Sequence, residues 1–178
     1  MKIVIGVTGS IAAYKACELV RLFVKGGIDV RVVMTAAAQK FVTPLTFQTL
    51  SRNPVGVNQF DLPAEWMPEH IAFADADAVV VAPATADAIA KMSHGIADDL
   101  LTSTLLATRA PVFVAPAMND GMWDNPATQA NLKVLRERGI AVVEPMAGEL
   151  ACGTEGKGRM ASPETVFSAV MGAIGKVQ

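Results

Sequence analysis

Cysteine is scarce in this chain, with only Cys17 and Cys152 among 178 residues. Two thiols build no disulfide framework, so the sequence predicts a reduced, cytosolic protein. An excess of one charge is also lacking. The 15 basic and 17 acidic residues leave a formal net charge of −2. That balance gives no electrostatic footprint for nucleic acid or an anionic membrane, and no block of like charges forms a tail. No apolar stretch reaches ~18 residues without polar interruption, which argues against a transmembrane helix. The first residues start a strand pattern at once, so no signal peptide is expected. The two histidines and two cysteines are scattered without ligand spacing, so no metal site is expected. No linker or internal repeat appears, and residues 1–178 read as a single domain.

Apolar residues are plentiful. They make up 52% of the chain, with a mean hydropathy of +0.37. This is ample for a core, and the excess predicts covered subunit interfaces and hence an oligomer. Short β-branched runs (Ile3–Val7, Val30–Met34, Ala78–Ala82, Val112–Ala115, Ala141–Val143) alternate with helical patterns. The helical segments run from Ile11 to Lys25, after the Pro83-Ala84-Thr85-Ala86 connection through Lys91, from Asp98 to Ala107, from Pro126 to Arg138, and onward from Ser162. Ala36 to Ser51 reads as two helical pieces broken at Pro44. Arg52 to Glu69 reads as a long loop with a short strand. Strands that are apolar throughout predict a parallel sheet covered on both faces, an α/β, Rossmann-like (flavodoxin-like) three-layer sandwich.

Ligands in such folds sit at the carboxyl ends of the strands. The unusual segments all follow strands: Thr8-Gly9-Ser10, Met34-Thr35, Pro83 to Ala86, Pro116 to Asn119, and the loop around Cys152. Gly9 and Ser10 suit a phosphate at a helix N-terminus or an ordinary capped turn. Thr35 suits a second phosphate contact or a helix cap. The small residues from Pro83 to Ala86 either admit a flat ring or make a tight connection. His70 closes the long loop and has a near-neutral intrinsic pKa; a lone histidine also serves as a packed or surface residue. His94 reads as a helix-terminal residue and Cys17 as core. Cys152, with Gly153, Gly156, Gly158, Lys157 and Arg159 nearby, reads as an exposed thiol in an electropositive loop able to close over a substrate, or as an incidental loop cysteine.

Taken together, Gly6 to Lys15, Met34-Thr35, Phe41 to Leu45, Ala82 to Asp87, Ala97 to Leu100, Pro116-Ala117-Met118-Asn119, Ala151-Cys152-Gly153 and Gly158-Arg159-Met160 resemble the flavin-containing cysteine decarboxylases. The resemblance runs over nearly the whole chain. It implies FMN held by Gly9, Ser10, Ile11, Thr35, Thr85, Ala86, Asp87, Thr102 and Ala117. It implies His70 and Cys152 as catalytic residues, and Met118, Asn119, Gly153 and Arg159 as substrate-binding residues. It further implies 4′-phosphopantothenoylcysteine as substrate, 4′-phosphopantetheine as product in coenzyme A biosynthesis, and a homotrimer or assembly of trimers with flavin at the subunit interface. In the implied chemistry, oxidation of CH2–SH to a thioaldehyde provides the electron sink for loss of CO2, and the enethiolate is then reduced as Cys152 gives a proton.

Some bacterial relatives carry a second domain that makes the substrate, and both a stand-alone enzyme and one part of a bifunctional protein fit this sequence. The rivals are a peptidyl-cysteine oxidative decarboxylase, a flavin prenyltransferase of similar fold and a non-catalytic regulatory flavoprotein.

Overall fold

The computed structural model describes residues 1–61, 66–149, 153 and 155–175. Six parallel strands form the central sheet: β1 (Lys2–Val7), β2 (Asp29–Met34), β3 (Val55–Gly56), β4 (Ala78–Ala84), β5 (Val112–Pro116) and β6 (Ala141–Val142). Their order is β3-β2-β1-β4-β5-β6. The chain therefore steps outward from β1 to one edge, returns to the middle at β4, and steps to the other edge. Registers such as Ile3 opposite Val30 and Ala78 keep β1 paired on both sides. This is the α/β sandwich expected from largely apolar strands, whose two faces both need cover.

The cover comes from α1 (Ala13–Lys25), α2 (Pro44–Ser51), α3 (Glu69–Ala74), α4 (Ala86–His94), α5 (Leu100–Ala107), α6 (Asp120–Asp124), α7 (Pro126–Glu137) and α8 (Pro163–Ile174). Alternation along β1 divides the core. Ile3, Ile5 and Val7 pack with Leu19, Phe23, Val166 and Val170 from α1 and α8. Val4 instead belongs with Ile89, Leu101, Leu132 and Leu135 on the opposite face. At Gly6 a Cβ would run into the side chain of Leu101, so this glycine lets α5 lie close against β1. Cys17 packs half-buried beside the first cluster, and burial pushes its thiol pKa up, which suits an inert core cysteine.

Three elements differ from the sequence expectation. A short helix over residues 69–74 follows the long loop directly, so His70 sits on α3. Residues 120–124 form α6 directly after the Asn119 cap. The glycine-rich stretch is not all irregular: β7 (Met146–Glu149) pairs antiparallel with β8 (Glu155–Arg159) as a separate two-stranded sheet. Its sequence hides this because glycine and charged residues carry little strand signal; pairing and docking decide the conformation.

Candidate functional site

The carboxyl ends of β1, β2, β4 and β5 share one rim, and the strand order reverses between β1 and β4. Thr8, which follows β1, is buried and joins the two halves. Its Oγ1 donates to the Pro83 carbonyl at 2.7 Å and accepts from the Thr85 N–H at 3.0 Å. The next residue, Gly9, passes so near the β2 loop that a Cβ would come within 2.5 Å of the Ala37 methyl. The Thr35 hydroxyl accepts from Ala38 N–H, that of Ser10 from Ala12 N–H, and that of Thr85 from Ala88 N–H at the start of α4. Thr85 thereby caps α4, Ser10 and Thr35 close local turns, and each of the three hydroxyls keeps a proton to donate. A cavity of about 430 Å³ opens here, lined among others by Thr8, Gly9, Thr35, Thr85, Asp87 and Thr102.

Thr102 contributes wall rather than a spare donor. It completes a capping box with Asp99, donating to the carboxylate at 2.7 Å and accepting from Asp99 N–H at 3.1 Å. Asp87 faces Lys91 at 3.6 Å, and Lys91 also pairs with Asp98 at 3.1 Å. The hydrogen bond to Asp98 raises the Lys91 pKa and lowers that of Asp98, so both stay charged.

A second cavity of about 500 Å³ is lined by Ser10, Ile11, Lys15, Ala117, Asn119 and Arg159, with Tyr14, Met118, Glu149 and Met160 completing much of the wall. Gly9 lines the first cavity and Ser10 the second, so the loop after β1 separates the two. Lys15 reaches back from the first turn of α1 to donate to the Met160 carbonyl at 2.9 Å. Burial lowers its pKa first, and the positive charge of Arg159 lowers it further. Two cations crowded on one wall favour an anionic ligand. Asn119 caps α6, its Oδ1 accepting from Gly121 N–H at 2.9 Å. Met118 N–H donates to the Gly158 carbonyl at 3.0 Å, which docks β8 directly on the Met118–Asn119 turn.

The expected residues therefore divide into two groups on one rim. Gly9, Thr35, Thr85, Ala86, Asp87 and Thr102 surround the smaller cavity, and Ser10, Ile11, Ala117, Met118, Asn119 and Arg159 the larger. His70 lies half-buried on α3 and is in neither lining. Gly153 takes a left-handed conformation (φ +82°) and lines neither cavity. Cys152 lies outside the described residues. Lys157 pairs with Glu144 at 3.1 Å.

Tyr14 and Lys15 were missed as cavity residues. Their signal was positional, since they occupy the first turn of the helix that follows the glycine loop. His94 behaves as expected for a helix end, with Nδ1 2.9 Å from the Ala90 carbonyl.

A family model described as Flavoprotein matches residues 1–175. The coenzyme A biosynthesis bifunctional protein CoaBC of Haemophilus influenzae is 52% identical over 169 residues, covering 94% of this chain and 42% of that protein. The chain thus spans about two fifths of the length of the curated relatives it matches. Among solved structures, a PPC decarboxylase mutant complexed with pantothenoylaminoethenethiol is similar at a TM-score of 0.85 and 32% identity, covering 95% of both chains. The FMN-dependent cysteine decarboxylase SpaF is similar at a TM-score of 0.83 and 34% identity, covering 99% of this chain and 96% of the other. Among the described residues, no helix is long and apolar enough to cross a membrane.

Proposed function

The chain belongs to the Flavoprotein family, and we propose that it binds FMN and decarboxylates 4′-phosphopantothenoylcysteine to 4′-phosphopantetheine, a step of coenzyme A biosynthesis. The observation that carries this reading is the pair of cavities divided by one loop, one lined by small residues and hydroxyls together with Asp87, Lys91 and Asp99, and the other by two cations, an amide and Glu149. The residues fit FMN. Ala36, Ala37 and Ala86 are small enough for close approach, Gly9 lets its loop pack against Ala37, and Thr35 with the N-terminus of α4 suits a phosphate, while Ser10 faces the neighbouring cavity. The similarity to an FMN-dependent decarboxylase and to a PPC decarboxylase supports the same assignment.

When bound, FMN supplies reversible two-electron oxidation of the CH2–SH carbon, which gives the departing CO2 a C=S group on which to leave its electrons. This chain's residues bind, orient and move protons. Asn119 and Arg159 orient the substrate carboxylate beside Ala117 and Met118, and Lys15 adds a second positive charge to that wall. His70 acts as the base around the oxidation. Cys152 gives the proton that completes the saturated thiol.

His70 lines neither cavity of its own chain, so in this reading it serves the site of a neighbouring copy. Ile11, Tyr14 and Met122, all roughly half exposed or more at the rim, supply apolar surface for that contact. The assembly is a homotrimer or a set of trimers in the cytoplasm, with residues 1–178 as one FMN-binding decarboxylase domain.

The test is incubation of purified protein with 4′-phosphopantothenoylcysteine, followed by mass detection of 4′-phosphopantetheine and a visible spectrum of the protein. A yellow protein forming the saturated thiol is expected. A colourless protein would remove the cofactor, and release of only the unsaturated thiol would move the reading to an oxidative cysteine decarboxylase.

A further inference from the structure

Strand β8 carries Arg159 to the wall of the larger cavity, and its own sequence is a weak strand former. Two of its five residues are glycines, which weaken a strand interior. Those glycines are needed for contact. A Cβ at Gly156 would come within 2.6 Å of Asp120 Cβ, and one at Gly158 (φ +155°) would collide with the Met118 carbonyl. Close approach is thereby permitted. Pairing with β7, the Met118–Gly158 hydrogen bond and buried Met160 hold the backbone of β8, and the contacts of Lys157 add a side-chain tie to the helices beyond it.

Lys157, between the two glycines, faces a different set of groups. Its Nζ lies 3.1 Å from Glu144 and 5.1 Å from the ring centroid of Trp123. Trp123 is buried on α6. Glu144 also accepts from Arg136 in the last turn of α7, at 2.5 Å, and α7 is itself anchored in the core by Leu132 and Leu135. Burial pushes the Glu144 carboxyl up, but the hydrogen bonds from Lys157 and Arg136 more than offset this and keep it below its ordinary value. Glu144 is therefore ionised at neutral pH. An isolated exposed ion pair would count for little, whereas a shared carboxylate with a cation over an aromatic face forms a network.

We propose that Lys157 is a positioning residue: bridging Glu144 and Trp123, it ties β8 to α6 and α7 and so sets where Arg159 stands in the cavity wall. The link to substrate rests on the function proposed above; the anchoring of β8 does not.

The experiment uses the FMN-loaded protein as wild type, Lys157→Ala, Glu144→Gln and Lys157→Arg. Amide hydrogen exchange is measured over residues 146–149 and 155–159, together with KM and kcat for 4′-phosphopantothenoylcysteine and FMN content. In Lys157→Ala and Glu144→Gln, exchange over β7 and β8 should rise about fivefold while peptides from α1 stay unchanged. KM should rise roughly three- to tenfold with kcat within about twofold and FMN content unaltered. Lys157→Arg, which keeps the charge and stacks on Trp123, should restore both readings. Unchanged exchange in Lys157→Ala, or Lys157→Arg behaving like the alanine variant, would overturn the anchoring. Faster exchange with unaltered KM in an active enzyme would overturn the positioning role. If the wild type does not turn over the substrate, the proposed function fails, and exchange alone then decides the anchoring.

Discussion

Thr8 and Thr85 are 77 positions apart and share a hydrogen bond across the switch point of the sheet, the Thr85 N–H donating to Thr8 Oγ1 at 3.0 Å. The same hydroxyl donates to the Pro83 carbonyl. One buried side chain therefore satisfies a donor and an acceptor of the β4–α4 connection and fixes that connection against the glycine loop.

Thr8→Val should leave both backbone groups without their partner, at roughly 1–3 kcal/mol for each group stranded away from water. The urea midpoint should fall accordingly and FMN should be retained less tightly. Thr8→Ser keeps the hydroxyl and should lose much less. Equal midpoints for Thr8→Val and wild type would show that the bridge carries no stability.

Gly9→Asp should lower FMN occupancy sharply. Any Cβ at this position meets the Ala37 methyl at 2.5 Å, and a carboxylate adds repulsion for a phosphate held by the loop. Visible absorbance of the purified variant reads the outcome. Full occupancy would place the phosphate elsewhere.

Lys15 gives a pH dependence whose sign follows from its surroundings. Burial, then Arg159, lowers its pKa below the ordinary lysine value. In the ligand-free fold the charged form is disfavoured, so this group adds stability as pH rises through its lowered pKa toward the unfolded value. Binding an anion has the opposite preference and requires the charged form. KM for the anionic substrate should therefore climb as pH passes through the lowered pKa, with proton uptake on binding in that range. Lys15→Gln should raise KM at neutral pH and remove this alkaline limb. A limb that persists in Lys15→Gln would assign it to another group.

His70→Ala should abolish turnover while leaving FMN bound, and Asn119→Ala should weaken substrate binding. If His70 serves a neighbouring copy, co-expressing the two variants should regenerate sites in which both residues are intact. Partial recovery of activity in the mixed protein is the expected result. No recovery, with mixed assemblies verified by mass, would return His70 to its own chain.

The main architecture was legible because β1, β2, β4 and β5 are apolar apart from Lys2, Asp29 and Arg31 and carry buried residues on both faces. The rim was legible because Gly9, Thr35, Thr85 and Asn119 each follow a strand. Helix α3 was hidden: six residues after Pro68 give too little length for periodicity to register. Strand β8 was hidden for another reason, since Gly156 and Gly158 declare themselves only through what they touch. The Thr8–Thr85 bridge and the turning of Lys157 toward Glu144 depend on tertiary contact, which no local pattern encodes.

The short outer strands of the main sheet bear on how copies can meet. Strand β3 has only Val55 and Gly56, and β6 only Ala141 and Val142. A neighbour seeking to extend that sheet would find almost no ladder of open amides and carbonyls to continue. Self-association that leaves this sheet intact is thereby steered toward side-chain faces and loops, and the two-residue borders act as built-in stops against fibre-like growth.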